Sequence, residues 1–222
     1  MTESQTAPSL SPSPNVAARF DDEPGFGLPA ARRASKPMAD PGPLGVLAFA
    51  VGSFILNFVN AGLIGAKADQ IVVPVAIVIS GVIQIFVAGW EIARGNTFTA
   101  AVFGSYGGFW IVAGLWIGDF AKAAGGAGGG ALALLLGLYA LFTVVFALAA
   151  LKTDRVLVVI FTLIAISLVL LTAGSASGVA DLTRAGGWVG LVFALVAVYH
   201  AAADIVASTF GHEVLPLGRL DS

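Results

Sequence analysis

Between Leu44 and Ser208 the chain is filled by six apolar stretches, at 44–66, 71–93, 97–118, 131–151, 156–175 and 186–208, with only short turns between them. A bilayer crossing takes ~20 mostly apolar residues, so each stretch is long enough to be one. Almost nothing remains from which to build a water-soluble domain. The pattern predicts an all-α integral membrane protein with six transmembrane helices, and places its function inside the membrane.

Composition narrows the chemistry. Hydrophobic residues make up 58% of the chain and charged residues 11%, against about 25% charged in soluble domains. A net charge of −2 gives no electrostatic footprint for a nucleic-acid partner. The absence of cysteine excludes disulfides, thiol catalysis and cysteine metal sites. With two histidines and no carboxylate cluster inside the spans, neither a metal nor a cofactor is expected. The spans also lack paired carboxylates and a nucleophile–base arrangement, so the chain does not read as an enzyme. The glycine run Gly125, Gly126, Gly128, Gly129, Gly130 lacks the Lys and Ser/Thr of a phosphate-binding loop. It reads as a flexible external loop between the third and fourth helices.

Eight of the ten prolines precede Leu44, among Ser, Ala and mixed charges. Such a segment buries too little apolar surface to offset its ordering entropy. Residues 1–39 are therefore expected to be a disordered cytoplasmic tail, 40–210 the transmembrane domain, and 211–222 a short cytoplasmic tail. No cleavable signal peptide is expected, since the first apolar run begins near residue 44 and is of full length. Lys and Arg set the orientation. An N-terminus in the cytoplasm puts Arg32, Arg33, Lys36, Arg94, Lys152, Arg155 and Arg219 inside, and only Lys67, Lys122 and Arg184 outside. Both termini are thus expected in the cytoplasm of a multi-pass plasma-membrane protein. Alanine- and glycine-rich usage suggests a bacterial source, and hence an inner membrane.

Small residues recur at Ala100, Gly104 and Gly108, and at Gly186, Gly190 and Ala194. Such faces let helix backbones approach closely in lipid, within one protomer or between protomers. Trp116 and Trp188 lie near span ends, where interfacial anchors belong. Polar residues inside spans are functional candidates by default, with interhelical hydrogen bonding as the alternative. They are Asn57 and Asn60 in the first helix, Gln84 in the second, Ser105 and Tyr106 in the third, and Tyr199 in the sixth. Glu91 and Arg94 read as an ion pair at a helix end. His200 and Asp204, four apart, are spaced to share a proton. No Lys or Arg falls in the middle third of any span, so a transported anion would meet no fixed cation there. A small solute of mixed character suits such a pathway better than a sugar phosphate does.

Several motifs in order resemble the acetate uptake transporter family, also called the GPR1/FUN34/YaaH or succinate–acetate permease family. Asp40-Pro41-Gly42-Pro43-Leu44-Gly45 stands where that family has Asn-Pro-Ala-Pro-Leu-Gly. Gly81, Gln84, Ile85, Phe86, Ala88, Gly89 and Glu91 are similar to its second helix. Gly95-Asn96-Thr97-Phe98 and Ser105-Tyr106-Gly107-Gly108-Phe109-Trp110 are similar to its third, and Leu215-Pro216-Leu217-Gly218 to its end. The resemblance implies a hexamer of six-helix protomers, each with its own pathway for acetate and related monocarboxylates, or succinate. Passage would be linked to protons or channel-like.

By motif position, the family's apolar constriction would comprise Phe49, Tyr106 and Ile164, with the Tyr106 hydroxyl free to bond a carboxyl oxygen. Asn57, Asn60, Gln84, Asn96, Thr97 and Ser105 would serve as polar stations. Asp40, Pro41, Pro43 and Gly45 would form the entry motif, and Glu91, His200 and Asp204 would be proton-linked. Asp40 and Asn96 are also suited to cap the helices that follow them. A channel for urea or ammonia/ammonium is the competing expectation, and a non-transporting acetate sensor a third.

Overall fold

The computed structural model describes residues 38–65, 67 and 69–220. The proposed N-terminal tail therefore lies almost wholly outside the described residues. The described chain is helical: α1 (Gly42–Asn60), α2 (Asp69–Pro74), a π-helical segment (Val75–Val82), α3 (Ile83–Arg94), α4 (Thr97–Leu115), a π turn (Trp116–Phe120), α5 (Ala121–Ala124), a 3₁₀ turn (Gly125–Ala127), α6 (Gly128–Ala150), α7 (Arg155–Ser177) and α8 (Ala180–Phe210). Pro74 has no N–H for the helical ladder, and the wider π turns begin directly after it. Among the described residues, five continuous helical stretches are long and apolar enough to cross a membrane: Gly42–Asn60, Gln70–Arg94, Thr97–Ala150, Arg155–Ser177 and Ala180–Phe210.

The third of these, 54 residues long, would reach roughly 80 Å if straight, at ~1.5 Å per residue. It doubles back instead. The Tyr139 hydroxyl donates to the Ser105 carbonyl at 2.9 Å, which sets α6 alongside α4. The reversal falls at Gly125, whose φ of +52° is closed to most side chains. The expected glycine loop is thus a correction: Gly126–Gly130 are helical. Gly129 is small for packing, because a Cβ there would lie 2.7 Å from the Ser175 carbonyl oxygen of α7. The first helix also stops earlier than expected, at Asn60, with Gly62 at φ +74°.

The glycines of α8 pack within the protomer. A Cβ at Gly186 would press on Leu171 of α7, one at Gly187 on the backbone of Asn60 and Ala61, and one at Gly190 on the Asn57 amide. Ala194, Ala197 and Ala201 continue the buried face. On α4 the tight positions are Gly107, against the Gly81 carbonyl, and Gly114, against Ile77. The expected face of Ala100, Gly104 and Gly108 is only half-buried, with nothing within 4 Å of a Cβ at Gly108. Trp188 is exposed, as an anchor should be, whereas Trp110 is buried beside Phe49.

Candidate functional site

Three helices, α1, α4 and α7, begin at one end of the bundle around a cavity of about 450 Å³. Its wall includes Asp40 and Pro43 from the start of α1, Gln84 and Glu91 from α3, and Asn96 and Thr99 from the start of α4. The α6–α7 turn adds Lys152, Thr153 and Asp154, and α8 adds His200 and Asp204. A second cavity, of about 60 Å³, lies beyond it and is lined by Ser53, Asn57, Phe109, Tyr139, Ser167 and Phe193 among others. The two linings share Phe49, Tyr106 and Ile164. These three residues are buried (Phe49 8%, Tyr106 3% and Ile164 3% exposed) and stand between the two spaces.

The rings at this point brace one another. Phe49 lies 5.3 Å from Tyr106, 5.8 Å from Phe193 and 6.3 Å from Trp110, centroid to centroid, within the range of favourable aromatic pairs. Gly45, one turn before Phe49, lets the Phe103 ring lie against α1. Tyr106 is also held by its hydroxyl, 2.6 Å from Thr143 Oγ1. The Thr143 hydroxyl donates its own proton to the Tyr139 carbonyl, so Tyr106 is the donor between them. The expectation that this hydroxyl is free for a carboxyl oxygen is thereby corrected: its proton goes to Thr143.

The other expected polar stations separate into groups. Gln84 and Asn96 are on the wall of the large cavity and Asn57 on that of the small one. Asn57 donates to the Ser53 carbonyl at 2.8 Å and accepts from Asn60 at 3.3 Å, so Asn60 supports Asn57 and lines neither space. Asn96 caps α4 through the Thr99 amide. Thr97 is exposed and Ser105 Oγ donates to the Val102 carbonyl; neither lines a cavity. At the entry, Asp40 Oδ1 accepts from the Gly42 amide at 2.9 Å and pairs with Arg94 at 2.6 Å. Pro41 precedes α1 without a side-chain cap.

The titratable groups form two connected sets at this end. Arg94 bridges Asp40 and the fully buried Glu91, the latter at 3.1 Å. His200 stands between Asp154 Oδ2, 3.1 Å from Nε2, and Asp204 Oδ2, 3.4 Å from Nδ1, while Arg219 reaches Asp204 at 3.3 Å. Sequence reasoning missed Asp154. Its signal was available, since it immediately precedes an apolar helix and caps α7 through the Leu157 amide at 2.7 Å. Residues 213–220 pack on the same turn. Arg155 and Val156 donate to the Gly218 and Leu217 carbonyls, Leu220 donates to that of Thr153, and the Tyr199 hydroxyl donates to that of Pro216.

The profile of the GPR1/FUN34/yaaH family matches residues 23–219. The chain belongs to this family. Among family members, the succinate-acetate/proton symporter SatP of Escherichia coli K12 is 32% identical over 189 residues, covering 82% of this chain and 96% of its own length. The ammonia transport outward protein 2 of Saccharomyces cerevisiae is 35% identical over 173 residues, 75% of this chain and 61% of its own. The solved structure of the bacterial acetate channel SatP superposes with a TM-score of 0.75 at 33% identity, over 82% of this chain and 99% of that one. With such relatives and its long apolar helices, this family member is a multi-pass membrane protein.

Proposed function

We propose that the chain carries acetate and related small monocarboxylates, succinate among its candidates, across the plasma membrane through each protomer of a hexamer. The helices cross six times with both termini in the cytoplasm, the fold-back at Gly125 dividing the long third stretch into two crossings. The observation that carries the reading is the pair of cavities meeting at Phe49, Tyr106 and Ile164. A wall of rings selects by size and tolerates a methyl group, while the Asp154–His200–Asp204 set at the wide end supplies a place for a coupled proton. Glu91 is a second candidate for that proton. The test is labelled acetate uptake into proteoliposomes, with and without an inward proton gradient. Saturable uptake that Tyr106→Ala alters is expected, and a gradient effect separates symport from a channel; absence of flux in folded protein sinks the reading.

One observation favours a second solute. The large cavity gathers Asp40, Glu91, Asp154 and Asp204 on its wall, against Lys152 and His200. That balance suits ammonium, the solute suggested by the name of the yeast relative. Competition by methylammonium, rather than by propionate or formate, distinguishes it.

A further inference from the structure

Arg155 opens α7 where the charged α6–α7 turn meets the apolar span, and it is exposed. Among the described residues no carboxylate pairs with its guanidinium. Its stem is nonetheless placed: a Cβ at Gly218 would lie 3.1 Å from Arg155 Cδ, so the side chain lies against the segment that packs on this turn. On the outer surface a groove of about 360 Å³ runs between α7 and α8. Arg155, Val156 and Val159 form one wall, and Leu195, Val196 and Tyr199 the other. The Tyr199 hydroxyl donates to the Pro216 carbonyl at 2.8 Å. That leaves Arg155 as the one group with which this groove meets a polar ligand. The rest is apolar and uncovered, with Val159 47% and Leu195 58% exposed.

We propose that this groove binds an anionic phospholipid, with an acyl chain between Val159 and Leu195 and the phosphate on Arg155. A guanidinium presents paired donors that match phosphate oxygens, and basic pockets between membrane helices hold anionic headgroups. The phosphate of a zwitterionic lipid is already balanced by its own ammonium, so the unpaired Arg155 favours a lipid without one. A second copy of the chain suits the groove less well. The carboxylates described at this end are engaged: Asp40 and Glu91 with Arg94, Asp154 and Asp204 with His200, Asp204 also with Arg219, and Glu213 with the Leu217 amide. None is left to meet Arg155. A groove of similar size between α6 and α7, lined by Leu141, Val144, Ile166 and Val169 among others, has no charged residue on its wall. It has nothing with which to select a headgroup.

Native mass spectrometry of the full chain in detergent tests the site, with dioleoyl phosphatidylglycerol and dioleoyl phosphatidylcholine as probes. The wild type should bind the first phosphatidylglycerol about tenfold more tightly than phosphatidylcholine, the gain expected of a hydrogen bond to a charged group. Arg155→Gln should erase that preference. Arg155→Lys should keep part of it, because an ammonium supplies the charge without the paired donors. Leu195→Trp fills the groove from α8 and leaves the charge in place; it too should erase the preference.

Equal affinities for the two lipids in the wild type overturn the proposal. So does a preference that survives in folded Arg155→Gln, which puts the headgroup on another cation. A preference lost in Arg155→Gln but kept in Leu195→Trp reduces the site to a surface charge and removes the groove from it. A changed oligomeric mass in Leu195→Trp, with lipid binding as in the wild type, assigns the groove to a second copy instead. None of these readouts depends on which solute the protein carries.

Discussion

The seam between α1 and α8 and the seam between α4 and α6 are made from opposite materials. Along α1–α8 the contact is nearly backbone on backbone: Gly187 lies against Asn60 and Ala61, and Gly190 against Asn57. Between α4 and α6 the backbones stay apart and rings and hydroxyls fill the space, with Tyr106 on Thr143 and Tyr139 on the Ser105 carbonyl. A glycine contact has no rotamer to change, so it either holds or fails. A ring changes position by rotating about its side-chain bonds, which suits a place where a solute is to pass. Both cavities are bounded by the ring-lined seam, with Tyr106 in each wall.

The largest effect that should break this contrast is Gly187→Val, whose side chain would enter the backbone of α1. We expect loss of folded protein, read as disappearance of the monodisperse peak in detergent chromatography. Gly190→Ala presses first on the Asn57 side chain rather than on backbone, and overpacking of this kind costs about 1–3 kcal/mol. Its melting temperature should fall while the fold survives. In the ring-lined seam, Tyr106→Phe removes a single hydrogen bond, worth about 1 kcal/mol, and leaves the ring in place. Acetate flux should stay within about twofold of wild type, unlike that of Tyr106→Ala; a tenfold loss in the Phe variant would return the hydroxyl to a direct role.

The smallest effect is expected at the mouth. Asp40 stands where the family motif has Asn, and an unpaired Asp would repel an anion. Here Arg94 pairs with it, and the Asp40 side chain is 64% exposed, so the pair contributes at most about 1 kcal/mol. Asp40→Asn keeps an oxygen for the Gly42 amide. The apparent KM for acetate should therefore remain within about twofold; a marked fall would show that the charge slows entry.

The helices were legible because apolar length in a membrane protein leaves few alternatives. Their ends were less so. Hydropathy carried the first helix through Ala61–Ala66, where Gly62 turns the chain, and read as a loop a glycine run that reverses at Gly125 and continues as helix, with Gly129 packed on α7. The constriction formed by Phe49, Tyr106 and Ile164 came only from motif resemblance: Tyr106 stood out as a polar residue in a span, but in helices as apolar as α1 and α7 nothing singles out Phe49 or Ile164. Asp154 was readable as a helix cap, but its pairing with His200, 46 residues away, was not.

The first turn of α7 has a consequence for how the protein is made. Its Arg155 and Val156 amides are satisfied by Gly218 and Leu217, and Leu217 is only 2% exposed. That turn cannot reach its final state until α8 and the segment after it have been synthesised. A fusion partner joined close behind Arg219 therefore adds its bulk where assembly is completed, and a tag at the opposite terminus leaves that step alone.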